Sequence, residues 1–522
     1  MAAREYSAAR GTGGCYTAAM LHADRLAPAR HPAVWLAVAG LLAALALWQL
    51  ERARSGVALR PVAIGSTPAT LYTARGAAPA PLVVVAHGFA GSRQLMAAIS
   101  LHLARAGYSV LAYDSEGHGR NPEPMSGDVT AVDGTTRLLL EELGRVIDAG
   151  LALDESAGGV ALLGHSMASD IVVRAAVDDP RVDAVIALSM FSEAMTPRAP
   201  ERLLMINGEW EARLREVSRA AARQVEAGVD EGETALAGAV RRRAVAAPRR
   251  EHLGVLYSAT TLRESERWLD ATFDREAGAR TALHPTGRWI LLLLLAIVLA
   301  FRPLVAWLPR AAAAPPPAPP RRFWAAVVLP ALAAPVVGVL VYRPFLPVLV
   351  ADYLALHLAL YGALQLALLR RSPVAGSRGS GRAVTLLLLW GIAVFGLALD
   401  RYGASFLPTG SRWLVVLALA PGAVLFLLAD ALVTDSGHGA LWRRVAARLA
   451  LLLSLALAAL LDRERLGFVL LVLPVVLLFF FVHGVLGRWT AQRAGPLGAG
   501  VGLGLALAWA LGVSFPLFAD AG

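Results

Sequence analysis

Residues 160–168 read Val160-Ala161-Leu162-Leu163-Gly164-His165-Ser166-Met167-Ala168, an apolar run that stops abruptly at a glycine and a serine. Ser169-Asp170-Ile171-Val172-Val173-Arg174-Ala175-Ala176-Val177 follows with a helical pattern. A buried strand, a tight turn carrying one serine and then a helix is the setting a nucleophile elbow requires. The turn strains the serine backbone and lifts its hydroxyl clear of the sheet edge. The helix behind it offers free N–H groups and a positive dipole end to a developing oxyanion. The pattern departs from G-x-S-x-G at its last position, where Ala168 replaces a glycine that eases helix–strand packing. One methyl there is tolerable.

Outward from this turn, strand-like runs alternate with helical ones. Strands are expected at 82–86, 109–113, 159–163, 184–188 and 202–207, and helices at 93–106, 135–148 and 167–177. Alternation of continuous apolar strands with helices predicts a mostly parallel sheet covered on both faces, a single α/β domain over 56–280.

The rest of the chain is different. Over all 522 residues the composition is 57% hydrophobic with a formal charge of +10, too apolar for one soluble enzyme. Residues 1–32 are small, polar and arginine-spotted and are expected to be disordered. Residues 33–50 are apolar with Trp35 and Trp48 near the ends, long enough for a transmembrane anchor. The following Glu51-Arg52-Ala53-Arg54 is a poor signal-peptide cleavage site. From Trp289 to 519 the chain is a multi-span domain of about eight helices, expected near 289–308, 323–342, 346–369, 383–399, 413–433, 446–461, 466–487 and 497–519. Pro315-Pro316-Pro317-Ala318-Pro319-Pro320 is a stiff connector between the first two.

All of the basic residues are arginine, and most flank apolar segments, where they read as topology signal and not as a nucleic-acid surface. With an N-terminus inside, arginines are denser in the inner loops than in the outer ones. The expectation is a multi-pass protein of a bacterial plasma membrane with its globular domain extracytoplasmic. The single cysteine, Cys15, allows no internal disulfide and no thiol metal site.

Ser166 needs a base, an acid to orient the base, and two N–H donors for the oxyanion. His87-Gly88-Phe89 follows the strand at 82–86, where the sheet delivers a loop beside the elbow. The N–H groups of Phe89 and Met167 are the expected oxyanion donors, and His87 is expected to brace the loop. The order Ser, acid, His places the acid in the turn after the strand at 202–207. Glu211 is the candidate, Glu209 its near competitor and Glu193 a weaker one. Of the histidines between acid and membrane, His252 lies on a loop after an apparent strand at 244–247, whereas His284 sits at the membrane edge. His252 is the expected base.

His87-Gly88-Phe89, Asp114-Ser115-Glu116-Gly117-His118-Gly119-Arg120, Gly164-His165-Ser166-Met167 and His252-Leu253-Gly254-Val255 occur in one order. Together they resemble the α/β-hydrolase superfamily, nearest to its esterase, monoglyceride-lipase and dienelactone-hydrolase-like branches. The resemblance covers roughly 62–275 and none of the membrane half. It implies a triad of Ser166, Glu211 and His252, an oxyanion hole at Phe89 and Met167, and structural roles for Asp114 and His118. Family members usually carry Asp at the acid, so the choice between Glu211 and Glu209 stays open. Only Ser189–Glu201 lies where relatives insert a lid, so the site is expected to be open, or roofed by the membrane half.

The function expected is a membrane-bound serine hydrolase acting on acyl or lipid-like carboxylic esters, with no metal or organic cofactor and no nucleic-acid partner. Membrane lipids and an ester substrate are the expected partners. The alternatives are an acyltransferase with the same triad, or a transporter or sensor whose hydrolase-like domain handles the cargo. Tyr353, His357, Tyr361 and Gln365 recur every four residues, on one helix face. That stripe is either an intramembrane functional site or hydrogen-bonding glue between helices.

Overall fold

The computed structural model describes residues 32–127, 132–275, 281–311, 317–346, 348, 350–370 and 380–519. Of the leader expected to be disordered, only Pro32 lies among them, and it begins a helix. The first two residues of the proline connector, 315 and 316, also fall outside them.

The globular half is built on nine strands: β1 (Val57–Ile64), β2 (Thr67–Ala74), β3 (Ala80–Ala86), β4 (Ser109–Tyr113), β5 (Ser156–His165), β6 (Val182–Leu188), β7 (Arg202–Gly208), β8 (Thr234–Ala237) and β9 (Val240–Ala247). They form one sheet in the order β1-β2-β4-β3-β5-β6-β7-β9-β8. From β4 across to β9 every pairing is parallel. The β1–β2 hairpin and the β8 edge are antiparallel. Alternate residues of β3 show how both faces are covered. Leu82 and Val84 pack with Leu143 and Val172 on one side. Val83 and Val85 pack with Ile99 and Leu103 on the other.

The helix expected at 93–106 is shorter. It runs Ala97–Arg105, because the Asp114 carboxylate takes the Arg93 N–H at 2.8 Å and the Arg93 guanidinium as well. Those bonds hold residues 93–96 as turns. The helix expected at 135–148 runs Arg137–Leu151, and the one after Ser166 runs Met167–Asp178.

Glu142, on the helix Arg137–Leu151, is buried. It receives the Thr67 hydroxyl at 2.6 Å, the Glu116 N–H at 2.9 Å and the Asn121 amide at 2.9 Å. It thus ties β2 to the loop after β4. Burial pushes its pKa from 4.5 up to about 7. A raised carboxyl pKa contributes stability fully below the unfolded value, and that contribution is lost as pH rises through the folded one. Thermal unfolding of the purified protein should therefore show a component of roughly 3 kcal/mol that disappears between pH 5 and 7. In Glu142→Gln that component should be flat across the same range.

Among the described residues nine helices are long and apolar enough to cross a membrane. They are Pro32–Arg54, Thr286–Val305, Pro320–Val341, Ala351–Leu369, Ser380–Tyr402, Arg412–Val433, Leu441–Leu461, Arg463–Ala494 and Pro496–Ser514. The first is longer than the anchor expected at 33–50, and it packs against Thr286–Val305 through Ala46, Leu50, Ile290 and Leu293. The last stops at Ser514 and does not continue to 519. Pro516 supplies no N–H and holds Phe515 extended, at φ −74° and ψ 129°. Close packing against Arg412–Val433 depends on glycine: a Cβ at Gly504 would lie 2.4 Å from the Val424 Cα.

The polar stripe faces inward. The His357 Nε2 lies 3.1 Å from the Ser454 hydroxyl and its Nδ1 3.3 Å from the Tyr353 hydroxyl. The Gln365 amide donates to the Ala326 carbonyl at 3.0 Å. These bonds link three helices.

Polar contacts between side chains and backbone fasten the halves together. Arg120 pairs with Asp400 at 2.5 Å, and the Ser405 N–H donates to the Ser92 hydroxyl at 3.1 Å. The buried Arg412 guanidinium donates to the Gly117 carbonyl at 2.8 Å and to the Phe515 carbonyl. Beyond Ser514 the tail returns to the globular half. The Leu517 N–H donates to Gly117 at 2.8 Å, the Met125 N–H to Leu517 at 2.9 Å, and the Ala519 N–H to Met125 at 2.6 Å.

Candidate active site

β5 is buried on both faces and delivers Ser166 at its carboxyl end, next to the helix Met167–Asp178. Ser166 sits at φ 53° and ψ −119°, outside the regions an L-residue prefers. Such a conformation costs of order 1–3 kcal/mol and persists only where its surroundings hold it. Here the Ser166 N–H donates to Leu188 at 2.9 Å, and the Ser166 carbonyl receives the Ser169 N–H at 2.8 Å and its hydroxyl at 2.6 Å. A Cβ at Gly164 would come within 2.3 Å of the Ala168 carbonyl, so the first glycine of the motif is required. Ala168 itself is buried in the core without such crowding.

The structure brings Ser166, His252 and Glu211 together. The His252 Nε2 lies 2.8 Å from the Ser166 Oγ, and its Nδ1 lies 2.6 Å from the Glu211 Oε1. The second oxygen of Glu211 accepts the Gly208 N–H at 2.6 Å and the Ser189 hydroxyl at 2.8 Å. Burial pushes the Glu211 carboxyl up, but its bonds from His252, Gly208 and Ser189 outweigh that and hold its pKa below the usual value. Glu211 is thus kept anionic beside the imidazole. Glu209 points elsewhere and accepts the Arg249 N–H at 2.6 Å. Glu193 is exposed.

Phe89 and Met167 both line the cavity at Ser166. The loop carrying Phe89 passes close to the serine: a Cβ on Gly88 would sit 2.9 Å from the Ser166 Cβ. His87 accepts the Ser115 N–H at 3.1 Å, and the His118 Nδ1 contacts the Glu116 carbonyl at 2.9 Å. Both rings hold loops.

Two further residues support the triad. Ser189 follows β6 with φ 50° and receives no motif of its own. His165 donates through Nε2 to the His252 carbonyl at 2.9 Å and so fixes the loop that carries the imidazole. Burial pushes the His165 pKa down to about 4, which leaves it neutral near pH 7.

The cavity has a volume of about 510 Å³. Part of its wall comes from the apolar half: Phe468, Leu471 and Phe518 line it together with Met125 and Leu214 of the globular half. Among the described residues no group of three or more His, Cys, Asp or Glu could hold a metal ion.

Residues 77–226 match the family model Hydrolase_4, described as serine aminopeptidase, S33. The globular half is a mostly parallel, α/β-hydrolase-like domain. Solved structures similar to it include a dienelactone hydrolase from Anabaena variabilis ATCC 29413, at 19% identity over 41% of this chain and 97% of that one, with TM-score 0.31. Est1E from Butyrivibrio proteoclasticus, solved with ferulic acid bound, is 18% identical over 42% of this chain and 100% of its own, TM-score 0.31. A predicted CIB-like hydrolase from Thermoplasma acidophilum is 16% identical over 41% and 100%, TM-score 0.32. No curated protein matches the chain. The matched segment of the hydrolase domain contains Phe89, Ser166 and Glu211 and ends before His252.

The two carboxylates of the 209–211 turn separate cleanly by mutation. Glu211→Gln should lower kcat on p-nitrophenyl acetate by ~10³–10⁴-fold, since the imidazole loses its orienting anion. Glu209→Gln should stay within about twofold, as for a surface change worth less than ~0.5 kcal/mol.

Proposed function

We propose that this protein is an integral-membrane serine hydrolase that cleaves carboxylic esters through an acyl-enzyme. The observation that carries the reading is the unbroken relay from the Ser166 Oγ through His252 to Glu211, at 2.8 and 2.6 Å. Ser166 attacks the ester carbonyl carbon as His252 Nε2 takes its proton. The C–O bond to the alcohol breaks, and His252 returns the proton to the leaving oxygen. Water, deprotonated by the same imidazole, then attacks the acyl-serine and releases the acid. Glu211 keeps the Nδ1 proton in place and stabilises the imidazolium. The N–H groups of Phe89 and Met167 hold the oxyanion, the latter aided by the helix N-terminus. An alcohol in place of water would make the same site an acyltransferase.

Nine apolar helices and the arginine distribution support a plasma-membrane location in a bacterium with the hydrolase domain extracytoplasmic. The tail at 515–519 packs on the hydrolase domain, on the side opposite the start of the first helix if all nine cross. The transporter alternative would use the stripe around His357 as a cargo site. Both nitrogens of that ring already face hydroxyl groups, which supports a packing role.

Labelling with a fluorophosphonate tests the reading on the detergent-solubilised full chain. Wild type should be labelled, Ser166→Ala should not, and His252→Ala should label at least ~100-fold more slowly. Labelling that survives Ser166→Ala would place the nucleophile elsewhere.

A further inference from the structure

The Ser166 cavity has two unlike ends. Toward the apolar half it meets Phe89, Phe468, Leu471 and Phe518. The same four residues also line a second, narrower crevice of about 20 Å³, which runs on between the segments 468–475 and 511–518 past Val475 and Leu511. Leu471 stands where the two spaces join, and it is 49% exposed beside Leu470 at 44%. Leu477, Leu478 and Phe481 continue the exposed apolar face along the same candidate span. Apolar side chains so exposed on a helix of this kind face hydrocarbon. The backbone at the join is a 3₁₀ segment, Gly467–Val472, between a short helical turn and the main helix Leu473–Ala494.

The other end is polar and lacks positive charge. Thr135, Thr136 and Asp170 line it. Asp170 accepts the Ser192 hydroxyl at 2.6 Å and Arg174 Nε at 2.7 Å. No arginine lines the cavity among the described residues, in a chain with 49 basic residues. A phosphate-bearing alcohol arm would meet the Asp170 carboxylate, whose paired cation, Arg174, does not line the cavity.

We infer that the apolar half completes the substrate site, and that the substrate is a lipid ester. Its acyl chain enters from the bilayer past Leu471 and lies between the segments 468–475 and 511–518. Its uncharged alcohol part faces Thr135, Thr136 and Asp170. The inference rests on the hydrolase reading above and names its substrate class. It also assigns a role to the tail beyond Ser514, which places Phe518 in the wall of the cavity through the bridge to Met125. A cavity of about 510 Å³ is ample for the ester and the first part of the chain. The narrow crevice must widen by rotation of side chains such as Leu471.

The test uses the full chain in lipid nanodiscs and a long-chain alkyl fluorophosphonate with a diazirine part-way along its chain. The Ser166 Oγ–P bond forms, the P–F bond breaks, and the proton passes to His252 as fluoride leaves. Illumination should then cross-link the chain to residues within 468–475 or 511–518. Ser166 labelled but cross-links confined to 135–214 would overturn the bilayer route while leaving the hydrolase reading intact. No label on Ser166 would overturn both. An independent arm compares p-nitrophenyl palmitate with p-nitrophenyl acetate in Val475→Trp, which fills the crevice. The ratio of kcat/KM for the long ester over the short one should fall by about tenfold or more. An unchanged ratio would contradict the proposal. Should that variant fail to fold, the cross-linking arm in wild type decides alone.

Discussion

Everything in the hydrolase domain depends on a strand-to-helix turn that holds one serine at positive φ. The strain at Ser166 is local, but the means of holding it are not. β6 supplies the Leu188 carbonyl, the helix Met167–Asp178 supplies Ser169, and Gly164 leaves room for the Ala168 carbonyl. The parallel sheet is what sets these elements side by side. The same sheet brings the ends of β6, β7 and β9 to one edge, so that Ser189, Glu211 and His252 converge. Each supports the next. Ser189 and Gly208 anchor Glu211, Glu211 anchors His252, and His165 anchors the His252 loop from the far side. Preorganisation of this kind is what lets fixed dipoles act on a transition state without first rearranging.

The apolar half is not a passive tether in this arrangement. Arg412, at the start of its helix, reaches into the loop after β4 and binds the Gly117 carbonyl and the carbonyl of Phe515. That one buried guanidinium joins a helix start, the chain's tail and the hydrolase domain. Removing one partner from such a buried site leaves the others unsatisfied, which costs more than the net worth of the bonds. The tail's backbone bonds to Met125 then fix Phe518 in the wall of the Ser166 cavity.

The sequence made much of this legible, and for physical reasons. A buried parallel strand reads as a continuous apolar run, so β3 to β7 were visible from composition alone. Ser166, Glu211 and His252 follow from chain order, since each sits at the end of a strand. The acid is ambiguous in sequence because Glu209 and Glu211 share one turn; in the structure Glu211 meets the His252 ring, whereas Glu209 takes the Arg249 N–H. The β1–β2 hairpin carries no such signal, because both strands mix polar and apolar residues without strong alternation. The early end of the last helix could have been read from Pro516. A roof from the membrane half is one of two alternatives the short 189–201 segment leaves open, but its residues are not legible: the pairing of Phe518 with Met125 joins residues nearly four hundred positions apart, and no local pattern encodes it. Ser189 was equally silent, being one serine among many at a strand end.

The most direct measurement is the identity of the covalent intermediate. Full-length protein turning over p-nitrophenyl palmitate is quenched in acid, digested and mapped by mass spectrometry. The account predicts an acyl group on the Oγ of Ser166, accumulating in wild type and absent from Ser166→Ala. Steady ester turnover with no acyl adduct, or with the acyl group on another side chain, would contradict it.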